Sequence, residues 1–230
     1  MEGDEGMMDE CVKQLSMLET GIITDSMRLL GIDGWMEGMH PVNQESRICG
    51  RAFTMAYTLE TDPGEVESYS YYRLLDEIAP GDVIVLAANN CPYAVFGENM
   101  QHASRQMGSA GVILDGKNRD TSVIRNYGQP VFSRGQEIRF MPGNFRITAY
   151  QTQVNCAGVV VRPGDYITGD DDGVIVIPKG RINDVLYQAE RISALELCME
   201  KAINSGKSMT ECAGIVAQKS RARIRSGGEG

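Results

Sequence analysis

Two short, unbroken apolar runs, residues 83–87 (VIVLA) and 111–114 (GVIL), stand on either side of a stretch with helical periodicity, GENMQHASRQMG. A run of this length with no polar alternation is what a strand buried on both faces requires. Between the runs, Met100, Ala103 and Met107 recur at i, i+3 and i+7. Gly108 follows where a left-handed residue closes a helix. Strand, helix and strand at this spacing predict a right-handed βαβ unit with parallel strands, and so an α/β fold with a central mixed sheet and flanking helices.

The rest of the chain is arranged around that unit. Residues 8–18 predict a helix with Met8, Cys11, Val12, Leu15 and Leu18 on one face. TGIITDSMRLLG predicts a second, capped by Thr24 or Asp25 and stopped by Gly31. RICGRAFTMAYTLE is strand-like and TDPGE is a turn. A helix closed by Pro80-Gly81 precedes the first apolar run; DTSVIRNYG predicts a short helix and QPVFSRG a strand. From about residue 138, strand formers broken at Pro142-Gly143, Ala157-Gly158, Pro163-Gly164 and Asp172-Gly173 predict an antiparallel meander. A long last helix carries the stripe Ile182, Val185, Leu186, Ala189, Ile192, Met199 and Ile203. The expected division is a disordered tail over 1–7, one domain over 8–210, and a C-terminal segment over 211–230 ending in a flexible basic, Gly-rich tail.

Composition narrows the function. A net charge of −9 argues against a nucleic-acid partner, which would draw on clustered Lys and Arg. No apolar run approaches the ~18 residues that span a bilayer, and the acidic start has no secretory pattern, so no membrane partner is expected. The six cysteines are dispersed without a CxxC, which points to thiols in a reducing compartment, the cytoplasm.

Ligands of open α/β sheets gather beyond the carboxyl ends of parallel strands. Gly97-Glu98 follows the first apolar strand and Arg119-Asp120 the second, so both are expected on one crevice. Gly97 opens a helix and lets a ligand approach the backbone; the first-turn N–H groups of Asn99 and Met100 suit a carboxylate. Arg119 adds a planar charged fork for a carboxylate or ketone oxygen. Asp120 offers a hard oxygen to Mg²⁺ or Mn²⁺, ions that keep waters and share a chelating substrate. The pattern describes a small carboxylate bound beside a divalent metal.

The chain resembles, over about Thr20 to Met209, the 4-hydroxy-4-methyl-2-oxoglutarate / 4-carboxy-4-hydroxy-2-oxoadipate aldolases, which share the RraA-like swivelling β/β/α fold of regulators of ribonuclease E activity. The resemblance lies in the order and spacing of ICGRAFTM, APGDVIVLAA, FGENMQHASRQMGSAGVILDGKNRD, QPVF, VRPGDYITGDDDGVIVIP and AERISALE. Glu98, twenty intervening residues, Arg119 and Asp120 fit the aldolases' acid-X20-Arg-Asp signature, with Glu in place of the usual Asp. Val123 stands where that pattern often has an acid. The resemblance implies a metal-dependent lyase that cleaves a small 4-hydroxy-2-oxo dicarboxylic acid to pyruvate and decarboxylates oxaloacetate as a side activity. Glu98, Arg119 and Asp120 would be catalytic, Asp120 would hold the metal, and Gly97, Glu98, Asn99, Met100 and Arg119 would bind substrate. It also implies a homotrimer or homohexamer, with Glu196 reaching a neighbouring subunit's metal through water. Two alternatives are a non-catalytic regulator that binds a protein on the same scaffold, and another metal-assisted reaction on a 2-oxo acid.

Other features have plainer readings. Asp170-Asp171-Asp172-Gly173 is expected to be a hairpin turn. His102, one turn after Glu98, is expected to be an exposed helix residue, and with only His40 and His102 in the chain a two-histidine metal site is not expected. Asp115 is expected to orient Arg119 or form a turn, and Lys117 to be exposed near the crevice.

Overall fold

The computed structural model describes residues 9–60 and 68–221. The expected tail over 1–7, the TDPGE turn and the Gly-rich terminus lie outside those residues. In chain order the first half holds α1 (Glu10–Ser16), α2 (Thr20–Leu29), β1 (Trp35–Met36), β2 (His40–Pro41), β3 (Ile48–Leu59), α3 (Tyr71–Leu74), β4 (Asp82–Ala87), β5 (Ala94–Phe96), α4 (Glu98–Gln106) and β6 (Gly111–Leu114). There follow β7 (Lys117–Asn118), α5 (Thr121–Asn126), β8 (Val131–Ser133), β9 (Phe145–Tyr150), β10 (Val154–Cys156), β11 (Val159–Val161), β12 (Tyr166–Asp170), β13 (Gly173–Ile177), α6 (Ile182–Asn204) and α7 (Met209–Arg221).

The two apolar runs are neighbouring parallel strands, paired from Val83 with Gly111 to Leu86 with Leu114. Among the described residues, nine strands make one mixed sheet, ordered β1-β13-β12-β3-β4-β6-β8-β2 with β9 joined to β3. Strands β3, β4, β6 and β8 run parallel. The uninterrupted hydrophobicity of β4 has a direct cause. Ile84 and Leu86 enter one core layer with Phe53, Met55 and Leu114, while Val83 and Val85 enter another with Ala52, Ile113 and Phe132. Each such side chain contributes about 1.5–3 kcal/mol on burial. Met100 and Ala103 of α4 pack on the first layer; Val154, Cys156 and Val161 of the β10–β11 hairpin pack in the second. The sheet thus has helix on one face and β-structure on the other, the β/β/α layering expected. A third cluster seats residues of α1, α2 and α6 over Tyr166, Ile175 and Ile177.

Several local expectations are corrected. The region after residue 138 is not a consecutive meander. Hairpins β10–β11 and β12–β13 form, but β12 and β9 both return to β3, an unusually long strand that offers edge to both. Helix α2 starts at Thr20, so Thr24 and Asp25 lie inside it and cap nothing. The start is fixed from afar: Asp170 accepts bonds from the Thr20 N–H (2.9 Å) and hydroxyl (2.7 Å). Helix α1 is shorter than residues 8–18 because the Asp9 carboxylate caps it, accepting from Cys11 N–H at 2.9 Å. On α6 the stripe holds from Ile182 to Ile192, but Ile203 is exposed and Ala202 is the buried residue near that end. The chain beyond 210 is helical through Arg221, as α7, and packs along α6.

Candidate active site

Strands β5 and β7 form a parallel ribbon of their own, outside the main sheet, pairing Ala94 with Lys117 and Phe96 with Asn118. The next residues are Gly97 and Arg119, and Arg119 N–H donates to the Phe96 carbonyl at 3.0 Å. The ribbon therefore aligns the two ends of the acid-X20-Arg-Asp pattern side by side. Asn118 secures the second strand: it is buried, donates to the Thr121 hydroxyl (2.9 Å) and accepts from the Ser133 hydroxyl (2.8 Å).

Asp120 then adopts φ 55°, ψ 33°, the left-handed region that Asp tolerates better than most residues. It stands at the N-cap of α5, yet its carboxylate does not cap that helix. Instead Oδ2 accepts the Glu98 N–H at 3.2 Å and lies 3.6 Å from Arg119 Nε. Both contacts fall on Oδ2, so they leave the other carboxylate oxygen unclaimed. Gly97 is extended, with φ −158°, so its backbone does not demand glycine. Space does: a Cβ there would sit 2.7 Å from Asp120 Oδ2 and 3.3 Å from Arg119 Cγ. The room expected for a ligand is taken by these two side chains.

Gly97, Glu98, Asn99, Met100, Arg119 and Asp120 all line one cavity of about 390 Å³. Asn99 and Met100 belong to the first turn of α4, whose N–H groups have no intrahelical acceptor. Arg119 is half-exposed, with its guanidinium 4.8 Å from the centre of the Phe140 ring. The aromatic part of the lining, which sequence reasoning did not find, comes from Tyr57 on β3, Tyr69, Tyr71 and Tyr72 around α3, and Phe140 and Phe145 before and on β9. Burial holds the Tyr57 and Tyr71 phenols well above the usual tyrosine range, so they are neutral.

The donors suit some metals and not others. Among the described residues, no group of three or more His, Cys, Asp or Glu could hold an ion. A closed zinc site is therefore not built here. One carboxylate in a cavity wall, with one oxygen unclaimed by its neighbours, fits Mg²⁺ or Mn²⁺ sharing a chelating ligand.

Other expected residues lie elsewhere. Glu196 lines a separate surface concavity with Asp25 and Trp35. His102 is exposed and its Nδ1 is 2.6 Å from the Tyr127 hydroxyl. Asp115 does not orient Arg119: it is buried, ion-paired with Arg134 at 2.5 Å, and accepts the N–H groups of Asn90 (3.2 Å) and Ala157 (2.9 Å). Lys117 is half-buried, and its Nζ donates to the Arg134 carbonyl at 2.6 Å. The Asp170–Gly173 turn is structural, with Asp171 accepting the Glu45 N–H at 2.8 Å.

Comparison with known proteins identifies the family and the fold. A family model described as Aldolase/RraA matches residues 20–176. A protein of Halalkalibacterium halodurans, named as a candidate 4-hydroxy-4-methyl-2-oxoglutarate aldolase, is 31% identical over 198 residues, covering 84% of this chain and 88% of its own. An uncharacterized protein from Pseudomonas syringae pv. tomato superposes with a TM-score of 0.77 at 26% identity, over 89% of this chain and 96% of its own. Streptomyces coelicolor RraAS2, titled an unusual member of the RNase ES inhibitor RraA family, gives the same TM-score at 24% identity over 85% of this chain and 98% of its own, and shows the shared fold.

Proposed function

This chain belongs to the Aldolase/RraA family, and from that premise we propose that it is a carbon–carbon lyase that cleaves a 4-hydroxy-2-oxo acid and releases pyruvate. The observation that carries the reading is the convergence of the Gly97–Glu98 and Arg119–Asp120 ends on one cavity. Asp120 would hold a divalent ion, Mg²⁺ or Mn²⁺, which when bound supplies Lewis-acid polarisation of the 2-oxo oxygen.

The chain's own residues do the rest. The N–H groups of Asn99 and Met100 hold the substrate 1-carboxylate at the start of α4. Arg119 donates to the 2-oxo oxygen and stabilises the negative charge that grows there as the C3–C4 bond breaks. Glu98 takes the C4 hydroxyl proton, directly or through one water. The C4 carbonyl product leaves, C3 is protonated, and pyruvate is released. Oxaloacetate needs no base at C4, so its decarboxylation should follow as a side activity. We place the working unit in a homotrimer or dimer of trimers, where Glu196 would serve a neighbour's site. The acid at 98 favours this reading over a protein-binding regulator, which has no use for it.

The test is pyruvate release from oxaloacetate and from 4-hydroxy-2-oxo acids with and without a second carboxylate. Each is run with Mg²⁺ or Mn²⁺ and with a chelator. Metal-dependent release is expected, and Asp120→Ala should lower it by at least about a hundredfold while circular dichroism stays unchanged. A folded wild-type protein that is silent on all of them would leave the regulator as the better reading.

A further inference from the structure

Arg119 is a long side chain on loose ties. Its ion pair with Asp120 runs through Nε at 3.6 Å, longer than a hydrogen bond. A second restraint is the ring of Phe140, whose centre lies 4.8 Å from the guanidinium carbon. A ring attracts a cation through its π face and occupies no N–H group. It can therefore steady the planar fork while leaving the donors for a ligand. A hydrogen-bonded anchor would spend the donors that a bound oxyanion needs.

The backbone sets Phe140 in place. Residues 135–141, between β8 and β9, run along the β5–β7 ribbon, with parallel bridges from Asn118 to Gln136 and from Ala94 to Phe140. Asn118 N–H donates to the Gly135 carbonyl, and Glu137 N–H to the Asn118 carbonyl, both at 3.0 Å. Ala94 N–H donates to the Arg139 carbonyl at 2.9 Å, and Met141 N–H to the Ala94 carbonyl at 3.3 Å. The segment is thus stitched to both strands that carry the acid-X20-Arg-Asp pattern, just ahead of Arg119 and of Gly97. Arg139 adds a side-chain hold, its guanidinium 4.9 Å from the centre of the Tyr93 ring. Met141 packs against the core, while Phe140 stays 51% exposed and meets Arg119. Core burial therefore does not account for a phenyl ring at this position.

We propose that Phe140 is a positioning residue for the reaction: its ring holds the Arg119 guanidinium where the 2-oxo oxygen gains negative charge, and it acts only through Arg119. This deepens the lyase reading and rests on it for the chemistry. The contact lies within one chain, so it stands whatever a neighbouring subunit adds to the cavity.

The test is a double-mutant cycle read by binding, which needs no turnover. Its probe is oxalate, a planar dianion that places an anionic oxygen where the 2-oxo oxygen becomes negative. Oxalate is titrated calorimetrically with Mg²⁺ into the full chain and into Phe140→Leu, Phe140→Tyr, Arg119→Ala and the Arg119→Ala/Phe140→Leu pair. Leucine keeps apolar bulk without a π face; tyrosine keeps the ring. Phe140→Leu should weaken oxalate about tenfold and Phe140→Tyr less than about threefold. The loss from leucine should vanish once Arg119 is alanine. Where Arg119→Ala binds too weakly to read, the contrast between leucine and tyrosine decides. An equal loss from leucine in both backgrounds, no rescue by tyrosine, or no loss at all would overturn the proposal. Failure of the wild-type protein to bind oxalate would overturn it together with the charged site it serves. The expected coupling without pyruvate release from any 2-oxo acid would sink the lyase reading and leave Phe140 setting Arg119 for an oxyanion.

Discussion

Asp120 occupies a backbone conformation that costs most residues on the order of 1–3 kcal/mol, and it gives up the helix cap that its position offers. Both concessions aim one carboxylate at the start of α4. Gly97 is the complementary half, since only a missing Cβ leaves space for that carboxylate. Gly97→Ala should therefore act through Asp120. We expect pyruvate release to fall by about a hundredfold, with a stability loss of only about 1–3 kcal/mol from overpacking. Activity assays beside thermal melts check this; wild-type turnover in the variant would mean that Asp120 need not stand where it does. At this scale the spacing of Glu98, Arg119 and Asp120 was legible, because one helix and one strand have fixed lengths. The partner of Asp115 was not. Arg134 reaches it only because β8 lies beside β6, a fact of sheet order and not of local pattern.

Strand β3 is the element on which the architecture depends. It pairs with β4 in parallel, and with β12 and β9 in antiparallel, with the register shifting between Ala56 and Tyr57. That reach brings Tyr57 beside Phe145, with ring centroids 5.3 Å apart, and so builds part of the cavity's aromatic lining. The long strand could be read from its β-branched and aromatic residues, but its partners could not, since pairing leaves no mark in the strand itself. The β5–β7 ribbon was invisible for another reason. Three residues and two are too few to carry a period. Asp115 joins this region to the β10–β11 hairpin through the Ala157 N–H. Asp115→Ala should cost about 3–5 kcal/mol by leaving Arg134 and the Ala157 N–H unpaired, while the Asn90 N–H keeps the Asp115 backbone carbonyl at 3.0 Å. Urea unfolding measures it, and a loss under about 1 kcal/mol would show the junction to be dispensable.

Across the whole molecule, weakly acidic groups held protonated set an upper pH limit. Burial pushes the Cys49 thiol up to about 12 and raises the Tyr166 phenol as well. In the unfolded chain these groups release protons near pH 8.5 and 10. The folded state thus binds more protons between those values and its own. Their stabilising contribution is complete below about pH 8.5 and is lost as pH rises towards 12. The urea midpoint should fall between pH 9 and 11; a flat profile would remove these groups from the account.

The bonds from Thr20 to Asp170 also have a meaning in time. They span 150 residues, and β1 likewise pairs with β13. As the chain is synthesised from its N-terminus, α2 and β1 have no seat until Ile177 has been added. Ile23, Met27 and Met36, all buried at the end, must wait in the open until then. A product truncated ahead of β12 would lack more than its own last strands: the first helices would have nowhere to dock, and their apolar faces would be left for chaperones or aggregation to claim.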